Sequence, residues 1–205
     1  MEWNDYVTNA VRTKSDKFNI AMSIDVIHAI IGLSTEAGEL LEAVEKAYDE
    51  AAPLDVVNVR EEMGDLLWYI AIYCNAVAEP PRLRGGHIED KPFAAETVVK
   101  IAIATANLLD MLKKHLFYVK AFDWNTANGL VSHIYRLISY YVDIPAACEV
   151  NIAKLRKRFP DRFTTENANT RDLAAERKIL EAGVSLGILP PDATIDALNK
   201  VKNSC

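Results

Sequence analysis

The sequence predicts an all-α fold, and three observations lead to that prediction. Apolar residues recur at three- and four-residue spacing along almost the whole chain, which is the period of an amphipathic helix. No run of β-branched residues is bracketed by the Asn-Gly or Asp-Gly turns that are typical of β-hairpins. With eight glycines and eight prolines in 205 residues, the composition is that of a folded globule and not of a disordered or fibrous chain.

The first three predicted helices have recognisable start and stop signals. Apolar spacing predicts a helix over residues 4–19 and a second over 24–49, which ends before Pro53. Asp55 is a suitable N-cap for a third helix that Pro80 stops near residue 78. The short turn between the second and third helices predicts that they form an antiparallel pair.

The second half of the chain is also predicted to be helical. Three prolines and the Gly85-Gly86 pair indicate a loop before the periodicity resumes. Further along, Pro145 suits the first turn of a new helix and Pro160 its end. The predicted elements are the loop over 80–92 and helices over 94–121, from 127, over 145–159 and, as weaker and more polar helices, over 170–186 and 192–203.

Charge and cysteine content exclude several classes of protein. Lys and Arg number 23 against 29 Asp and Glu, and the net charge of −6 argues against stable nucleic-acid binding through the overall field. The three cysteines are widely spaced, so they predict neither a zinc site nor a disulfide framework. The N-terminal sequence lacks the features of a signal peptide, and no apolar run is long enough for a bilayer. We therefore expect a cytoplasmic protein without a membrane partner.

Two acidic motifs carry the most information about function. Glu36 and Glu39 lie three residues apart on the second predicted helix, and Glu62 and Asp65 repeat that spacing on the third. Each pair projects from one helix face and borders the apolar stripe. If the two stripes pack together, four carboxylates converge, and their repulsion is costly without a cation. All-oxygen ligation without Cys or His predicts Mg²⁺ or Mn²⁺.

The alternative is that these acids belong to solvated helix faces, which is the usual place of an acid pair at this spacing. We assign Glu61 to such a face. Gly38 and Gly64 favour the metal-site interpretation, because glycine in a helix interior costs up to about 1 kcal/mol unless close packing requires it. These glycines predict that the two helices approach each other closely.

The motifs resemble those of a known family. Glu36-x-x-Glu39, 22 intervening residues and Glu62-x-x-Asp65 are similar to the ExxE…ExxD signature of the all-α nucleoside triphosphate pyrophosphatases, which include MazG-like proteins and dimeric dUTPases. The string Arg-Glu-Glu-x-Gly-Asp-Leu-Leu at 60–67 closely resembles MazG, and residues 151–160 resemble the basic ending of MazG domains. The resemblance covers 24–78 and 143–163.

The resemblance implies an antiparallel helical bundle that hydrolyses nucleoside triphosphates to the monophosphate and pyrophosphate, with deoxynucleotides as the expected pool. Glu36, Glu39, Glu62 and Asp65 would be the catalytic residues and would hold Mg²⁺, with Mn²⁺ as the expected substitute. Asn151, Lys154 and Arg158 share one helix stripe and are the expected phosphate ligands. The nucleotide substrate is the expected partner, and relatives assemble as homodimers or homotetramers.

The sequence departs from the family at one position that matters. Many relatives have a second glutamate, able to act as general base, where this chain has Thr35, so either Glu39 serves or the metal-activated water needs no separate base. We expect His28 to pack at a helix interface, and Tyr69, on the Glu62 stripe, to touch substrate or the core. Candidates for stacking a nucleobase are Trp3, Tyr6, Trp68 and Trp124, and nothing in their spacing selects among them.

Domain organisation and two alternative functions complete the predictions. Residues 1–164 are predicted to form the pyrophosphatase domain, with an inserted helical pair at about 80–142, and 165–205 a helical C-terminal extension. One alternative within the same fold is a phosphoribosyl-ATP pyrophosphatase, which the sequence around 60–67 disfavours. The other is a non-catalytic helical binding protein that uses the insertion and the tail as its partner surface.

Overall fold

The computed structural model describes residues 1–49, 52–86 and 93–183, and every regular element in these ranges is a helix. This confirms the predicted all-α class. The sequence-predicted helix over 192–203 lies outside the described residues. The helices are α1 (Trp3–Val11), α2 (Ile24–Asp49), α3 (Val56–Ala76), α4 (Ala95–Tyr118), α5 (Trp124–Ile138), α6 (Ile144–Arg158), α7 (Thr165–Asn169) and α8 (Leu173–Gly183).

The antiparallel pair α2 and α3 forms the centre of the fold. The Asp55 side chain accepts a hydrogen bond from the backbone N–H of Asn58 at 3.1 Å and caps α3, as the sequence predicts. Leu33 and Leu40 of α2 and Met63 of α3 are completely buried where the two helices face each other. The packing of these apolar stripes brings the polar residues at their borders together across the seam.

Helices α4, α5 and α6 surround this pair. α4 packs on α2, where the Ser34 hydroxyl donates to the carbonyl of Thr105 at 3.2 Å. α5 contacts α3, where the Tyr73 hydroxyl of α3 donates to the Asn128 side chain of α5 at 3.0 Å. α6, capped by Asp143, packs on α3. Residues of α4 and α5 belong to the same hydrophobic core as α2 and α3, so the segment predicted as an insertion shares one core with the central pair.

The N-terminal segment differs from the prediction. A helix was expected over 4–19, but α1 ends at Val11 and buries none of its side chains. The chain beyond α1 is held by the end of α4 instead: the Ser15 hydroxyl donates to the Phe117 carbonyl at 2.5 Å, and the Asn19 N–H to the Leu116 carbonyl at 2.7 Å. These long-range hydrogen bonds replace the local ones that would extend the helix.

The C-terminal extension returns to the central helices. α8 packs mainly on α6 and also contacts α3. Arg177 of α8 donates to both oxygens of Asp55, at 2.9 and 3.0 Å, which joins α8 to the start of α3. None of the helices in the described ranges combines the length and the hydropathy needed to cross a bilayer.

Candidate functional site

Carboxylates from α2 and α3 meet at the seam between the two helices. One oxygen each of Glu36, Glu62 and Asp65 lies within 4.8 Å of the other two. The i, i+3 spacing on α3 directs Glu62 and Asp65 to one face, and the packing of α2 adds Glu36 opposite them. Glu39 is exposed and lies outside this three-oxygen group, but it lines the same cleft.

The cleft above these carboxylates is large enough for a nucleotide. Its volume of about 790 Å³ lies within the range of small-molecule sites. Its lining combines acidic residues of α2 and α3 with aromatic, arginine and aliphatic side chains. A separate cavity between α3, α6 and α8 has a volume of only about 40 Å³, which is too small for such a ligand.

The carboxylates raise the pKa of one another. Burial, followed by repulsion from Glu39, Asp65 and other neighbouring acids, raises the pKa of Glu62 to about 9. Burial and repulsion from Asp65 and Glu39 raise the pKa of Glu36 to about 7. Glu62 is only 6% exposed, and none of the described residues gives its Oε2 atom a hydrogen bond.

This arrangement fits a divalent cation. A buried carboxylate oxygen without a donor is costly, and a cation is the ligand that removes the cost. The three donors are hard oxygen atoms from Glu36, Glu62 and Asp65, close enough together to share one ion. The residues that are present therefore match a Mg²⁺ or Mn²⁺ site better than a site for a softer metal.

Asp65 has a second set of partners, on α6. Lys154 is 1% exposed, and its Nζ atom donates to Asp65 at 2.5 Å and to Glu61 at 3.1 Å. Asn151 donates to the other Asp65 oxygen at 2.6 Å. The structure thus brings two of the predicted phosphate ligands to a predicted metal ligand, and neither of them lines the cleft. The assignment of Glu61 to a solvated face is wrong, because its carboxylate is a partner of the buried Lys154.

Arg158, the third predicted phosphate ligand, does line the cleft, but the C-terminal extension holds it. Glu176 of α8 accepts from Arg158 Nε at 3.0 Å and from Nη2 at 2.6 Å. Arg171, just before α8, donates to the same carboxylate through Nη2 at 2.7 Å. Little in the sequence indicates a role for Glu176. The one signal is that it lies four residues before buried Leu180, on the inner face of an otherwise polar helix.

The glycines near the site have different roles. A Cβ atom on Gly32 would lie 2.1 Å from the Tyr69 ring, so this glycine makes room for Tyr69 at the wall of the cleft. A Cβ on Gly64 would meet the Asn151 side chain of α6 at 3.2 Å, so this glycine marks close packing of α3 on α6 and not the predicted close approach to α2. Gly38 is exposed with no atom near its missing Cβ, so the predicted close approach there is wrong. Close packing explains Gly32 and Gly64 but not Gly38.

An aromatic group forms one end of the cleft. The His28 ring meets Tyr69 edge-on at 5.4 Å and Trp68 at 6.1 Å between centroids. His28 is exposed, yet its ring meets these two side chains of α3, so it lies at the α2–α3 interface as expected and also lines the cleft. Of the four aromatic candidates for base stacking, the structure puts Trp68 in the cleft. Trp3 and Tyr6 instead stack on each other in α1, and Trp124 packs against Phe122.

Thr35 supplies no acid to the site. Its hydroxyl donates to the Gly32 carbonyl at 2.9 Å and lies 3.4 Å from a Glu36 oxygen. It therefore has a local role in α2 next to Glu36. In the described part of the cleft, Glu39 is the acid of α2 that remains outside the three-oxygen group.

The comparison with known families agrees with this geometry. Residues 27–101 match the model of the MazG nucleotide pyrophosphohydrolase domain, from α2 through α3 into the first turns of α4. The match includes all four predicted acidic ligands. No curated protein and no solved structure gives a significant match to the chain. The match confirms the resemblance drawn from the acidic motifs: residues 27–101, less than half of the chain, are similar to a MazG nucleotide pyrophosphohydrolase domain.

Proposed function

We propose that the protein hydrolyses nucleoside triphosphates, and deoxynucleoside triphosphates in particular, to the monophosphate and pyrophosphate, with Mg²⁺ as its ion and Mn²⁺ as a substitute. We propose that its substrates are the deoxynucleoside triphosphates of the cytoplasmic pool. One observation carries the proposal: a buried Glu62 oxygen without a hydrogen-bond donor lies beside Glu36 and Asp65 at the base of a cleft of nucleotide size. A structural acid cluster would not leave its most buried oxygen unpaired.

The carboxylates hold the ion in this proposal. Glu36, Glu62 and Asp65 are its protein ligands, and the open side of the cleft leaves room for phosphate oxygens and water. A bound divalent cation would neutralise triphosphate charge and lower the pKa of a water for attack at the α phosphorus. Because Glu39 is exposed in the same cleft and outside the ligand group, we propose it as the general base.

Residues of α3 and α6 keep Asp65 in position. Lys154 and Asn151 each donate to a different oxygen of this carboxylate, which fixes its orientation. Glu61 shares the Lys154 charge. We therefore propose that Lys154 and Asn151 act on substrate chiefly through Asp65, and that Arg158, which lines the cleft, contacts phosphate oxygens directly.

The aromatic end of the cleft suits the nucleobase. Trp68, His28 and Tyr69 all line the cleft and meet one another edge-on, and burial together with the nearby Glu36 carboxylate raises the pKa of Tyr69. Base stacking on an aromatic side chain contributes about 1–3 kcal/mol and tolerates different bases. We propose that Trp68 stacks the base while Tyr69 borders the sugar.

We also propose a homodimer or homotetramer. Val99, Ile103 and Phe117 of α4 are 40–57% exposed, and such apolar surface on a long helix is typical of an association face. Light scattering coupled to size exclusion tests this proposal directly. For domain organisation, residues 1–164 remain our proposal for the catalytic domain and 165–205 for the extension.

The position of bond cleavage tests the proposed reaction. The full chain is incubated with Mg²⁺ and the common ribo- and deoxyribonucleoside triphosphates in ¹⁸O-labelled water, and pyrophosphate and phosphate are measured separately. We expect pyrophosphate and monophosphate in equal amounts with the label in the monophosphate. Label in inorganic phosphate, together with a diphosphate product, would mean attack at the γ phosphorus and would overturn the proposal.

Two controls make this experiment specific. Glu62→Gln removes the proposed ion ligand at nearly constant volume, whereas Glu96→Gln removes an exposed carboxylate of α4 that pairs with Lys100. If Glu62→Gln retains more than about a tenth of the wild-type rate, Glu62 is not the ion ligand that the proposal requires. Turnover of phosphoribosyl-ATP alone would favour that alternative substrate, and binding without any hydrolysis would favour the non-catalytic alternative.

A further inference from the structure

Two arginines share one buried carboxylate at the edge of the cleft. Glu176 is 2% exposed and accepts hydrogen bonds from Arg158 and Arg171. Burial alone would raise the pKa of Glu176, but the hydrogen bonds from the two guanidinium groups overcome this and lower it to about 2. The three side chains are therefore charged together, and the cluster keeps one net positive charge.

This net charge distinguishes the two arginines from Lys154. The Lys154 ammonium is buried and is balanced by Asp65 and Glu61, so it offers little charge to an anion in the cleft. Arg158 and Arg171 both line the cleft, where they share Glu176, and Arg171 Nη2 also lies 3.8 Å from a Glu61 oxygen that already pairs with Lys154. An anionic ligand that enters here therefore meets positive charge at the arginine pair, and also at exposed Arg156, which lines the same cleft.

The geometry leaves donors available on both guanidinium groups. Each arginine uses its Nε and Nη2 atoms on Glu176, at 2.6–3.3 Å. In the described ranges, no residue accepts a hydrogen bond from Nη1 of either arginine. A guanidinium anchored on one edge still presents N–H groups on another, in the fork geometry that matches phosphate oxygens.

We propose that Arg171 is a phosphate-binding residue contributed by the C-terminal extension, and that Glu176 is a positioning residue that holds Arg171 and Arg158 side by side. This inference rests on the proposed function, because it assigns the β and γ phosphoryl groups, and later the pyrophosphate product, to the arginine pair. It makes the extension part of the substrate site.

Binding of simple anions tests the proposal without turnover. Inorganic pyrophosphate with Mg²⁺ and, separately, deoxynucleoside monophosphates are titrated into the full chain by calorimetry. For Arg171→Gln we expect pyrophosphate affinity to fall at least about tenfold and monophosphate affinity to change less than twofold. For Arg171→Lys, which keeps the charge but loses the fork, we expect an intermediate loss. Pyrophosphate affinity that stays within twofold of the wild type in Arg171→Gln would overturn the proposal.

Arg177→Gln is the matched control. It removes an arginine of α8 that ties this helix to Asp55 but does not line the cleft. We expect it to leave pyrophosphate affinity unchanged. If Arg177→Gln weakens pyrophosphate binding as much as Arg171→Gln, Arg171 acts only through the docking of α8 and is not a phosphate ligand.

Whether Glu176→Gln weakens or tightens pyrophosphate binding tests the positioning role. If Glu176 aligns the arginines, its removal weakens pyrophosphate binding severalfold at an unchanged far-ultraviolet spectrum, and Glu176→Asp recovers part of the loss. If Glu176 instead blocks the arginines, its removal tightens binding, which would overturn this role. A wild-type chain that binds pyrophosphate through Arg171 but hydrolyses no nucleotide would refute the proposed function alone.

Discussion

Replacing Glu62 by glutamine is expected to stabilise the metal-free protein, and to do so increasingly as the pH rises. In the unfolded chain Glu62 titrates near its ordinary value of 4.5, whereas burial and the neighbouring acids raise its pKa in the fold to about 9. Below pH 4.5 Glu62 is protonated in both the folded and the unfolded chain, so it adds no pH dependence to the free energy of unfolding. Between 4.5 and 9 only the unfolded chain loses it, so the stability of the wild type falls across this interval.

The magnitude follows from the width of that interval. Between pH 5 and pH 8, which both lie inside the interval, about 1.4 kcal/mol per pH unit gives an upper bound of about 4 kcal/mol on the loss of wild-type stability. Structural relaxation and water entry reduce such costs in real proteins. We therefore expect the free energy of unfolding of Glu62→Gln, relative to the wild type, to be about 1–3 kcal/mol larger at pH 8 than at pH 5. For a chain of this size the extra gain corresponds to about 3–10 °C in melting temperature.

Thermal melts of the two proteins at pH 5 and pH 8 in chelator provide the assay, with Glu96→Gln as the exposed control. Excess Mn²⁺ should reverse the order, because an ion that binds only the folded wild type stabilises it by mass action. A Glu62→Gln protein that is equally destabilised at both pH values would refute the reasoning, since it would show that Glu62 makes favourable contacts as a charged group.

The remaining predictions separate the other residues of the cleft. Asp65→Asn should destabilise the metal-free protein by about 2–4 kcal/mol in chemical denaturation, because it removes a partner of buried Lys154, and Lys154→Met should restore part of the loss. Glu39→Gln should lower turnover more than tenfold while keeping the Mn²⁺-induced rise in melting temperature, and loss of that rise would make Glu39 an ion ligand. Ca²⁺, with its longer bonds, should raise the melting temperature yet support little pyrophosphate release. Gly38→Ala should stabilise the protein by up to about 1 kcal/mol, whereas Gly32→Ala should displace Tyr69 and destabilise it.

The parts of the fold that the sequence predicts well are those that depend on local signals. Asp55 and Asp143 are caps whose partners lie three residues away, and the bounds of α3 and α6 agree closely with those predicted. The three-residue spacing of Glu62 and Asp65 fixes their common helix face in the same way. The end of α1 depends instead on hydrogen bonds to Phe117 and Leu116, about a hundred residues away, and the prediction failed there.

The candidate site likewise combines features that local spacing predicts with features that depend on long-range packing. Helical spacing predicted that the carboxylates of α2 and α3 meet, because both pairs border apolar stripes that must be buried. It did not predict that Lys154 lies on Asp65, 89 residues away, or that Glu176 holds Arg158. Basic residues on one helix stripe look alike in sequence, and only the packing of α6 between α3 and α8 decides which ones are buried in ion pairs.

The distribution of these ion pairs makes one side of the cleft acidic and the other side basic. On the α2 and α3 side, Lys154 is the buried cation, and it faces Asp65 and Glu61 while Glu36 and Glu62 are left without a cation. On the α8 side, two guanidinium groups share Glu176. The proposed substrate, a triphosphate with its metal ion, carries both kinds of charge, and we propose that the metal would meet the carboxylates while the terminal phosphates would meet the arginines. In this proposal the leaving pyrophosphate would be on the arginine side, and the α phosphorus would be nearest to the acids.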